Sequence, residues 1–416
     1  MKAFVEGFGC SLNKSDTEQV RGFLAQNNFE LVSKPEDAGL LVLNTCAVKE
    51  QTETRMLRRA KELYAIAGEN KSTLVVFGCL PKINPKAVSS ISKEIVQIGP
   101  SLEALASFLE LPLQQFSPGL EEKKTSSIVS IIPICRGCLG SCSYCSVRNA
   151  RGALKSYSVP SLDKKFKQAL KQGSKEFWLT AQDCGCYGFD LDTNIVALLK
   201  TLLKNKGDFR IRIGMINPGH LKEFLPEYLA LFEDLRLFRF FHLPVQSGSG
   251  KILGEMNRPY TRNDFLEIAE EIRKAFPNAS IATDVIVGFP GETEPDFNQT
   301  VSLLRQAKPD VVNISRFGAR PNTLAEKMNG QLHGRVKKAR SRIVTKLCAG
   351  LSLERNKLFV DRGLEILLDE RGKGKTLVGR SQDYKPVVLK EGCIGDLVKV
   401  KVERAFQTYL AGTPPN

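Results

Sequence analysis

Three cysteines within one short stretch, directly after an apolar run, constrain this chain more than any other feature. Residues 138–145 read Cys-Leu-Gly-Ser-Cys-Ser-Tyr-Cys, and residues 128–134 before them are mostly apolar. Cysteine thiolates are the usual ligands of iron-sulfur clusters, and a glycine with small serines lets the backbone curl so that three thiols meet. A cluster held by Cys138, Cys142 and Cys145 would leave one iron open. The spacing therefore predicts a cluster that binds a substrate.

Other uses of these thiols fit the sequence less well. Cys135 forms a C-x2-C pair with Cys138 and allows a four-thiolate zinc site, but zinc ribbons usually separate their two pairs by a dozen or more residues. Disulfides are disfavoured because no secretory leader is recognisable and cytosolic thiols stay reduced. Cys135 is interpreted as the end of a buried strand and is left out of the ligand set.

The length and the cysteine content narrow the class of protein. A chain of 416 residues is too long for one compact core and predicts two or three domains. No run reaches the eighteen or so apolar residues of a membrane helix, so we expect a cytoplasmic protein with no membrane partner. In that compartment eleven cysteines indicate metal or redox chemistry.

The positive charge is concentrated at the carboxyl end. The formal net charge is +15, yet residues 1–118 carry 13 basic and 13 acidic side chains. Residues 331–416 carry 18 basic and 9 acidic side chains. A basic surplus confined to one module indicates a polyanionic partner, with nucleic acid as the first candidate, although a solvated surface is the simpler alternative.

The first predicted domain, residues 1–116, alternates apolar strands with helix-like stretches, which is typical of an open parallel α/β fold. Cys10, Cys46 and Cys79 each lie within three residues of the end of a predicted strand. Because the carboxyl ends of parallel strands share one edge of a sheet, these thiols should converge and could hold a second cluster with an open iron. The alternative is three unrelated cysteines in turns.

A polar linker is predicted at 117–127, followed by a central domain at 128–345. Six apolar strands with amphipathic helices between them predict a partial (β/α)6 barrel, and the cluster loop follows the first strand, where such barrels carry active residues. Cys184 and Cys186 lie in the loop after the second strand and could face the active site, although a structural role is favoured. The overall class is α/β.

The last module, residues 356–412, alternates apolar and polar residues between glycines, which predicts a small β-barrel of about five strands. Its size is similar to that of oligonucleotide-binding barrels. Five basic residues in it are candidate phosphate contacts: Arg371, Lys373, Lys375, Arg380 and Lys385.

Taken together, these motifs resemble the methylthiotransferases of the radical S-adenosylmethionine (SAM) class over nearly the whole chain. The matching stretches are Gly9-Cys10, 44–48, Gly78-Cys79, the three-cysteine loop with 150–152, 244–249, 256–258, 283–293 and, in the small barrel, 379–381 with 384–388. The last of these resembles the TRAM module, which binds RNA. The resemblance implies two [4Fe-4S] clusters, held by Cys10, Cys46 and Cys79 and by Cys138, Cys142 and Cys145.

Within that family, residues 178–188 and 212–218 are most similar to the archaeal and eukaryotic branch. That branch acts on tRNA carrying N6-threonylcarbamoyladenosine at position 37, in the anticodon stem-loop. Cys184, Cys186 and residues 317–323 depart from the usual pattern. Isopentenyladenosine 37 in tRNA or an aspartate of a ribosomal protein remains an alternative substrate, and a non-catalytic iron-sulfur protein that binds RNA is an alternative of another class.

The resemblance also implies a mechanism. One SAM methylates a sulfur carried on the amino-terminal cluster, and a second SAM is reduced at the other cluster and splits to a deoxyadenosyl radical. The radical removes hydrogen from C2 of the adenine, and the carbon captures the methylthio group. A reduced ferredoxin or flavodoxin is the expected electron donor, and no DNA partner is expected. Candidate SAM contacts, mostly at strand ends, are Tyr144, Gln182, Asp183, Gln246 and Asp284, with no residue assigned as catalytic.

Overall fold

A computed structural model describes residues 1–113 and 128–414. The predicted linker at 117–127 lies outside the described residues. The amino-terminal part is a parallel sheet with strand order β2-β1-β3-β4-β5. Its elements are β1 (Lys2–Gly7), α1 (Ser11–Gln26), β2 (Glu30–Leu31), β3 (Leu40–Thr45), α2 (Glu50–Asn70), β4 (Thr73–Gly78), α3 (Leu80–Ile83), α4 (Pro85–Ser89), β5 (Val96–Ile98) and α5 (Leu102–Phe108). The predicted parallel α/β fold is confirmed.

The central strand β3 shows why this sheet forms. All six of its residues are buried, and successive side chains enter different cores: Leu41 and Leu43 pack on one face, Leu40 and Val42 on the other. A parallel strand covered by helices on both faces is expected to be apolar throughout. This burial fixes the register of the sheet and so fixes where each strand ends.

The central part contains six parallel strands in the order β6-β9-β10-β11-β12-β13. They form two three-stranded sheets joined by a bridge between Ile211 and Leu237. The elements are β6 (Val129–Pro133), β7 (Cys135–Arg136), α6 (Val147–Arg151), β8 (Lys155–Ser156), α7 (Val159–Lys171), β9 (Glu176–Thr180), α8 (Ile195–Leu202), β10 (Arg210–Ile213), α9 (Pro218–Leu221), α10 (Leu225–Ala230), β11 (Phe240–His242), α11 (Gly250–Glu255), α12 (Arg262–Ala275), β12 (Ser280–Val287), α13 (Glu294–Ala307), β13 (Val311–Arg316) and α14 (Gly334–Lys357). One apolar core lies beneath all six strands. The predicted partial barrel is confirmed.

The carboxyl-terminal part is a closed five-stranded barrel. Its strands are β14 (Gly363–Arg371), β15 (Leu377–Ser381), β16 (Pro386–Leu389), β17 (Leu397–Ala405) and β18 (Leu410–Thr413), with the order β14-β15-β16-β18-β17. Ile366, Val387 and Val400 fill its interior. The predicted small barrel is confirmed. The proposed end of the central domain at 345 falls within α14, which packs on β13 and also on β17.

A buried polar network attaches the small barrel to the central part. Asp310, which is 5% exposed, accepts bonds from Lys385 Nζ at 2.6 Å, from Arg273 at 2.9 Å and from Arg355 at 3.2 Å. Three cations around one carboxylate offset the cost of burying it. These pairs lower the pKa of Asp310 against the effect of burial. These charge pairs hold the barrel in place and keep the ammonium group of Lys385 buried.

A second contact between these parts involves a pair of carboxyl groups. Glu176 on β9 accepts bonds from Trp178 and Tyr384 through Oε1, and Asp369 on β14 accepts one from Arg380 through Oδ2. The other oxygens, Glu176 Oε2 and Asp369 Oδ1, are buried and have no other hydrogen-bond partner among the described residues. A proton shared between the two carboxyl groups would satisfy both oxygens. Burial raises the pKa of Glu176 to about 7, and a protonated Glu176 can donate to Asp369. We infer that they share one proton.

We expect this pair to make the stability of the protein depend on pH. A raised carboxyl pKa means that the folded state holds the proton more tightly, so stability falls as the pH rises from about 4.5 to about 7, by at most about 3 kcal/mol. Glu176→Gln keeps a donor to Asp369 and removes the titration. Its unfolding temperature should therefore fall less than that of the wild type between pH 5.5 and 8. Glu370→Gln, an exposed change on the same strand as Asp369, is the control, and equal pH slopes in all three proteins would contradict the shared proton.

No helix within residues 1–113 and 128–414 combines the length and the apolar character needed to cross a membrane.

Candidate active site

The loop between β7 and α6 carries Cys138, Cys142 and Cys145. The loop is tightly folded: the Gly140 N–H donates to Cys138 Sγ at 3.2 Å, and the Cys145 N–H donates to the Cys142 carbonyl at 3.1 Å. A Cβ at Gly140 would lie 3.3 Å from Cys138 Sγ and 3.6 Å from Cys142 Sγ. Two of the thiols thus face the space beside Gly140, which a larger side chain there would crowd. The structure brings the predicted ligands of this loop together at the carboxyl end of β6.

The segment after α11 holds this loop from the other side. Ser143 Oγ donates to the Glu255 carbonyl at 2.7 Å, and Asn257 Nδ2 donates to the Ser141 carbonyl at 2.9 Å. Arg258 Nη1 donates to Cys142 Sγ at 3.0 Å, and its Nε donates to Tyr260 Oη at 2.9 Å. Arg258 was absent from the predicted site residues. Its guanidinium places a fixed positive charge beside a thiol that must ionise to bind iron.

The second group of cysteines lies at the ends of β1, β3 and β4. Cys46 and Cys79 are buried and Cys10 is exposed. Asn13 Oδ1 lies 4.0 Å from the Sγ atoms of both Cys10 and Cys79. Gly9, with φ +126°, would place a Cβ only 2.7 Å from Cys46 Cβ, so the close approach needs glycine there. The parallel sheet thus brings together three thiols separated by more than thirty residues in sequence.

Arg151 stands beside this second group, as Arg258 stands beside the first. Its Nη2 donates to Asn13 Oδ1 at 2.7 Å and to Asp16 Oδ2 at 2.6 Å, and the side chain is 3% exposed. Its Nη1 is buried and has no hydrogen-bond acceptor among the described residues. Arg151 also approaches Cys79, where its charge lowers a thiol pKa that burial has raised to about 11. An unpaired buried donor beside three thiols fits a sulfur-rich anionic group as its acceptor.

The protonation state of the thiols also fits a pair of iron-sulfur clusters. Burial raises the pKa of Cys138 to about 12 and raises those of Cys46 and Cys145. Without a metal these thiols are neutral at physiological pH, whereas a bound iron ion stabilises the thiolate. Both groups therefore match the donor set of a [4Fe-4S] cluster with three cysteine ligands.

The predicted SAM contacts fall in different surroundings. Asp284 Oδ2 is 2.6 Å from His242 Nε2, and the backbone of Gln246 pairs with Asp284. Gln182 Oε1 is buried without a partner among the described residues, and the ring of Tyr144 packs edge-on against Phe289. Tyr144, Gln182, Gln246 and Asp284 therefore remain candidate SAM contacts.

Asp183, the fifth predicted SAM contact, lies in a different environment. Its carboxylate is 3% exposed; Oδ1 accepts from the backbone of Gly185 and of Asn217, and Oδ2 is 2.9 Å from His220 Nδ1. With three of its roughly four acceptor positions filled, this buried carboxylate is a weaker candidate for the ammonium group of SAM than the other four residues. Spacing alone could not show this, because His220 comes from the loop after the neighbouring strand.

Residues 132–304 match the Radical SAM superfamily, residues 2–99 match a family described as Uncharacterized protein family UPF0004, and residues 357–414 match the TRAM domain. A probable threonylcarbamoyladenosine tRNA methylthiotransferase from Pyrococcus horikoshii is 38% identical, over 99% of each chain. The chain belongs to this methylthiotransferase family. The human threonylcarbamoyladenosine tRNA methylthiotransferase is 31% identical over 99% of this chain and 74% of its own.

Solved structures support the fold of this methylthiotransferase. The radical SAM methyltransferase TsrM from Kitasatospora setae, with cobalamin and a [4Fe-4S] cluster bound, aligns with a TM-score of 0.61 at 12% identity, over 78% of this chain and 77% of that one. The radical SAM superfamily uses SAM and a [4Fe-4S] cluster, and methylthiotransferases carry a second cluster. The two cysteine groups are the sites in this methylthiotransferase that fit them.

The predicted RNA contacts of the methylthiotransferase divide into two sets. Arg371, Lys373 and Lys375 are exposed around the turn between β14 and β15. Lys385 is 3% exposed, because its ammonium pairs with Asp310, and we remove it from the set as a correction. Arg380 is engaged by Asp369 and Glu370 and is a weak candidate for a phosphate. Sequence patterns showed the positive charges of these two residues but not their buried partners.

Proposed function

We propose that this protein adds a methylthio group at C2 of N6-threonylcarbamoyladenosine 37 in tRNA. The observation that carries the proposal is the presence, in one chain, of two separate groups of three cysteines, each beside an arginine side chain. Two open iron sites allow two tasks, a methyl transfer to sulfur and a reductive cleavage of SAM. The relatives named for this reaction match the chain from end to end, which favours the threonylcarbamoyl substrate over isopentenyladenosine.

We assign Cys138, Cys142 and Cys145 as ligands of the cluster that binds SAM, and Cys10, Cys46 and Cys79 as ligands of the second cluster. When bound, the clusters and SAM supply the electron transfer and the hydrogen abstraction that break an unactivated aromatic C–H bond. The protein positions them: Arg258 donates to Cys142 Sγ, and Arg151 holds the first turns of α1 through Asn13 and Asp16.

A buried ion pair sets the distance between the two halves of this site. Arg320, in the loop after β13, pairs with Glu53 on α2, and both side chains are less than a tenth exposed. Glu53 also accepts a bond from Asn84 at 2.7 Å. Breaking such a pair leaves an unpaired buried charge, so the two halves are held together strongly. We infer that Arg320 is a positioning residue that keeps the second cluster over the barrel.

The proposed partners follow from charge and redox chemistry. The small barrel would contact the phosphates near the anticodon stem-loop, consistent with the basic surplus of the carboxyl-terminal residues. Reductive cleavage of SAM consumes one electron, and reduced ferredoxin or flavodoxin is the proposed donor. We also propose a cytoplasmic location with no membrane or DNA partner.

Replacing Arg371, Lys373 and Lys375 together with alanine should weaken tRNA binding. The slope of log K against log salt is negative, and each lost phosphate contact should reduce its magnitude by about 0.9 or less. The total reduction should therefore be about two to three. Filter binding at several salt concentrations measures it. A matched control removes three exposed lysines elsewhere, Lys164, Lys171 and Lys206, with the same change in charge. Equal slopes in the two triple variants would remove the turn from the RNA contacts.

Nucleoside mass spectrometry tests the proposed substrate. The reconstituted and reduced protein is incubated anaerobically with SAM and sulfide and with tRNA carrying either the threonylcarbamoyl or the isopentenyl modification. We expect the methylthio mass on the threonylcarbamoyl nucleoside alone. The isopentenyl product would instead overturn the substrate assignment and keep the mechanism, and SAM cleavage with neither product would point to a protein substrate.

A further inference from the structure

The two cysteines that depart from the family pattern, Cys184 and Cys186, lie in a short 3-10 helix after β9. They belong to neither of the proposed sets of cluster ligands. Cys186 is fully buried, and its thiol lies near the polar groups of Asp183 and His220. Cys184 differs, because its thiol contacts the Leu179 carbonyl at 3.7 Å within the apolar core. The two residues therefore call for different explanations.

Three side chains of different chemistry meet around Cys186. One ligand atom each of Asp183, Cys186 and His220 lies within 4.8 Å of the others. The Cys186 thiol also donates to the Asp183 carbonyl at 3.3 Å, and Cys135 on β7 donates to the same carbonyl at 3.9 Å from outside the group. Asp183 and Cys186 follow β9, and His220 follows β10. A thiolate, imidazole and carboxylate set is one that zinc prefers.

The spacing suits a tetrahedral ion. Zinc bonds of about 2.0 Å to nitrogen and oxygen place two such ligands roughly 3.3 Å apart, and bonds of about 2.3 Å place two sulfurs roughly 3.8 Å apart. Asp183 Oδ2 and His220 Nδ1 are 2.9 Å apart, close to such an edge. Asp183 is otherwise a buried carboxylate that pairs with no lysine or arginine among the described residues. A divalent cation would offset that charge.

We propose that Asp183, Cys186 and His220 form a zinc site beneath the SAM-cluster loop, with the fourth position of the ion left to water. Binding exchanges the Cys186 thiol proton for the ion, with no change of oxidation state. Burial raises the pKa of the Cys138 thiol, and Asp183 and Cys186 lie close enough to raise it further. Zinc would tie together the carboxyl ends of β9 and β10 directly behind a cluster ligand and so hold that loop in shape. The site is independent of the proposed substrate.

Metal analysis of the holoprotein tests the site. The reconstituted protein is equilibrated with zinc and passed over a chelating resin, and its zinc and iron are measured by mass spectrometry. We expect about one zinc per chain in addition to the cluster iron. His220→Ala and Cys186→Ala should weaken zinc binding at least about a hundredfold and leave the iron content unchanged. Cys184→Ala is the matched control, because this buried neighbour is outside the proposed ligand set, and it should keep the zinc.

Two further measurements separate a lost site from a misfolded variant. Zinc should raise the unfolding temperature of the wild type and of Cys184→Ala but not that of Cys186→Ala or of the milder His220→Gln. Cobalt in place of zinc should give the visible absorption of a tetrahedral sulfur-ligated ion in the wild type. Absence of zinc from the wild type, or equal zinc in the wild type and Cys186→Ala, would overturn the proposal. Zinc that is lost in Cys142→Ala would show that it occupied the cluster cysteines and would also overturn it.

Discussion

Replacing Cys142 with alanine should abolish SAM cleavage and all methylthio product. Two thiols remain in the loop, too few for the three-cysteine cluster, and the guanidinium of Arg258 loses the sulfur it contacts at 3.0 Å. A partly buried cation that loses one of its partners destabilises the loop further. Deoxyadenosine released under reduction, measured by chromatography, should fall to the level of a reaction without enzyme.

The control for this change is Cys393→Ala, an exposed cysteine in the small barrel. It should cleave SAM at the wild-type rate. Cleavage at a comparable rate in Cys142→Ala would show that the loop at 138–145 is not where SAM is cleaved, and it would remove the basis for the assignment of both clusters.

Replacing Cys46 with alanine should have a different result: SAM cleavage persists, while methylthio product is lost. Cys46 lies at the end of β3 and belongs to a group of thiols that is separate from the loop after β7. Removing it should lower the bound iron by about half, because one of two clusters is lost. Deoxyadenosine and modified nucleoside are measured in the same reaction, so that one enzyme preparation reports both activities.

Cys348→Ala controls for the removal of a buried thiol, since Cys348 lies on α14 within the central core, in neither group of three cysteines. It should keep both activities. Normal thiomethylation by Cys46→Ala would refute the second cluster. Loss of SAM cleavage together with product would instead show that the two groups of thiols depend on each other for folding.

The sequence predicted the parts of this site that depend on strand ends. Cys10, Cys46 and Cys79 could be placed together because burial on both faces fixes the register of a parallel sheet and therefore its edge. The loop at 138–145 could be predicted because its three thiols and its glycine are local. In both cases the information lies within a few residues of a strand.

The sequence did not predict the groups that act across the fold. Arg151 meets Asn13, and Arg258 meets Cys142, over separations of more than a hundred residues, and no local pattern marks an arginine that will be buried. Lys385 looked like a surface charge because Asp310, its partner, lies 75 residues earlier. Asp183 was likewise predicted to be available to SAM, because its partner His220 lies 37 residues later, on α9.

Isotope transfer tests the central claim most directly. The substrate is tRNA with deuterium at C2 of the threonylcarbamoyl-modified adenosine 37, incubated with the reduced holoprotein and SAM. If the two cysteine sites work together on this carbon, the deoxyadenosine gains one deuterium and the methylthio nucleoside loses it, in equal amounts. Formation of the methylthio nucleoside with unlabelled deoxyadenosine would contradict hydrogen abstraction at C2, and the account of two cooperating clusters would have to be abandoned.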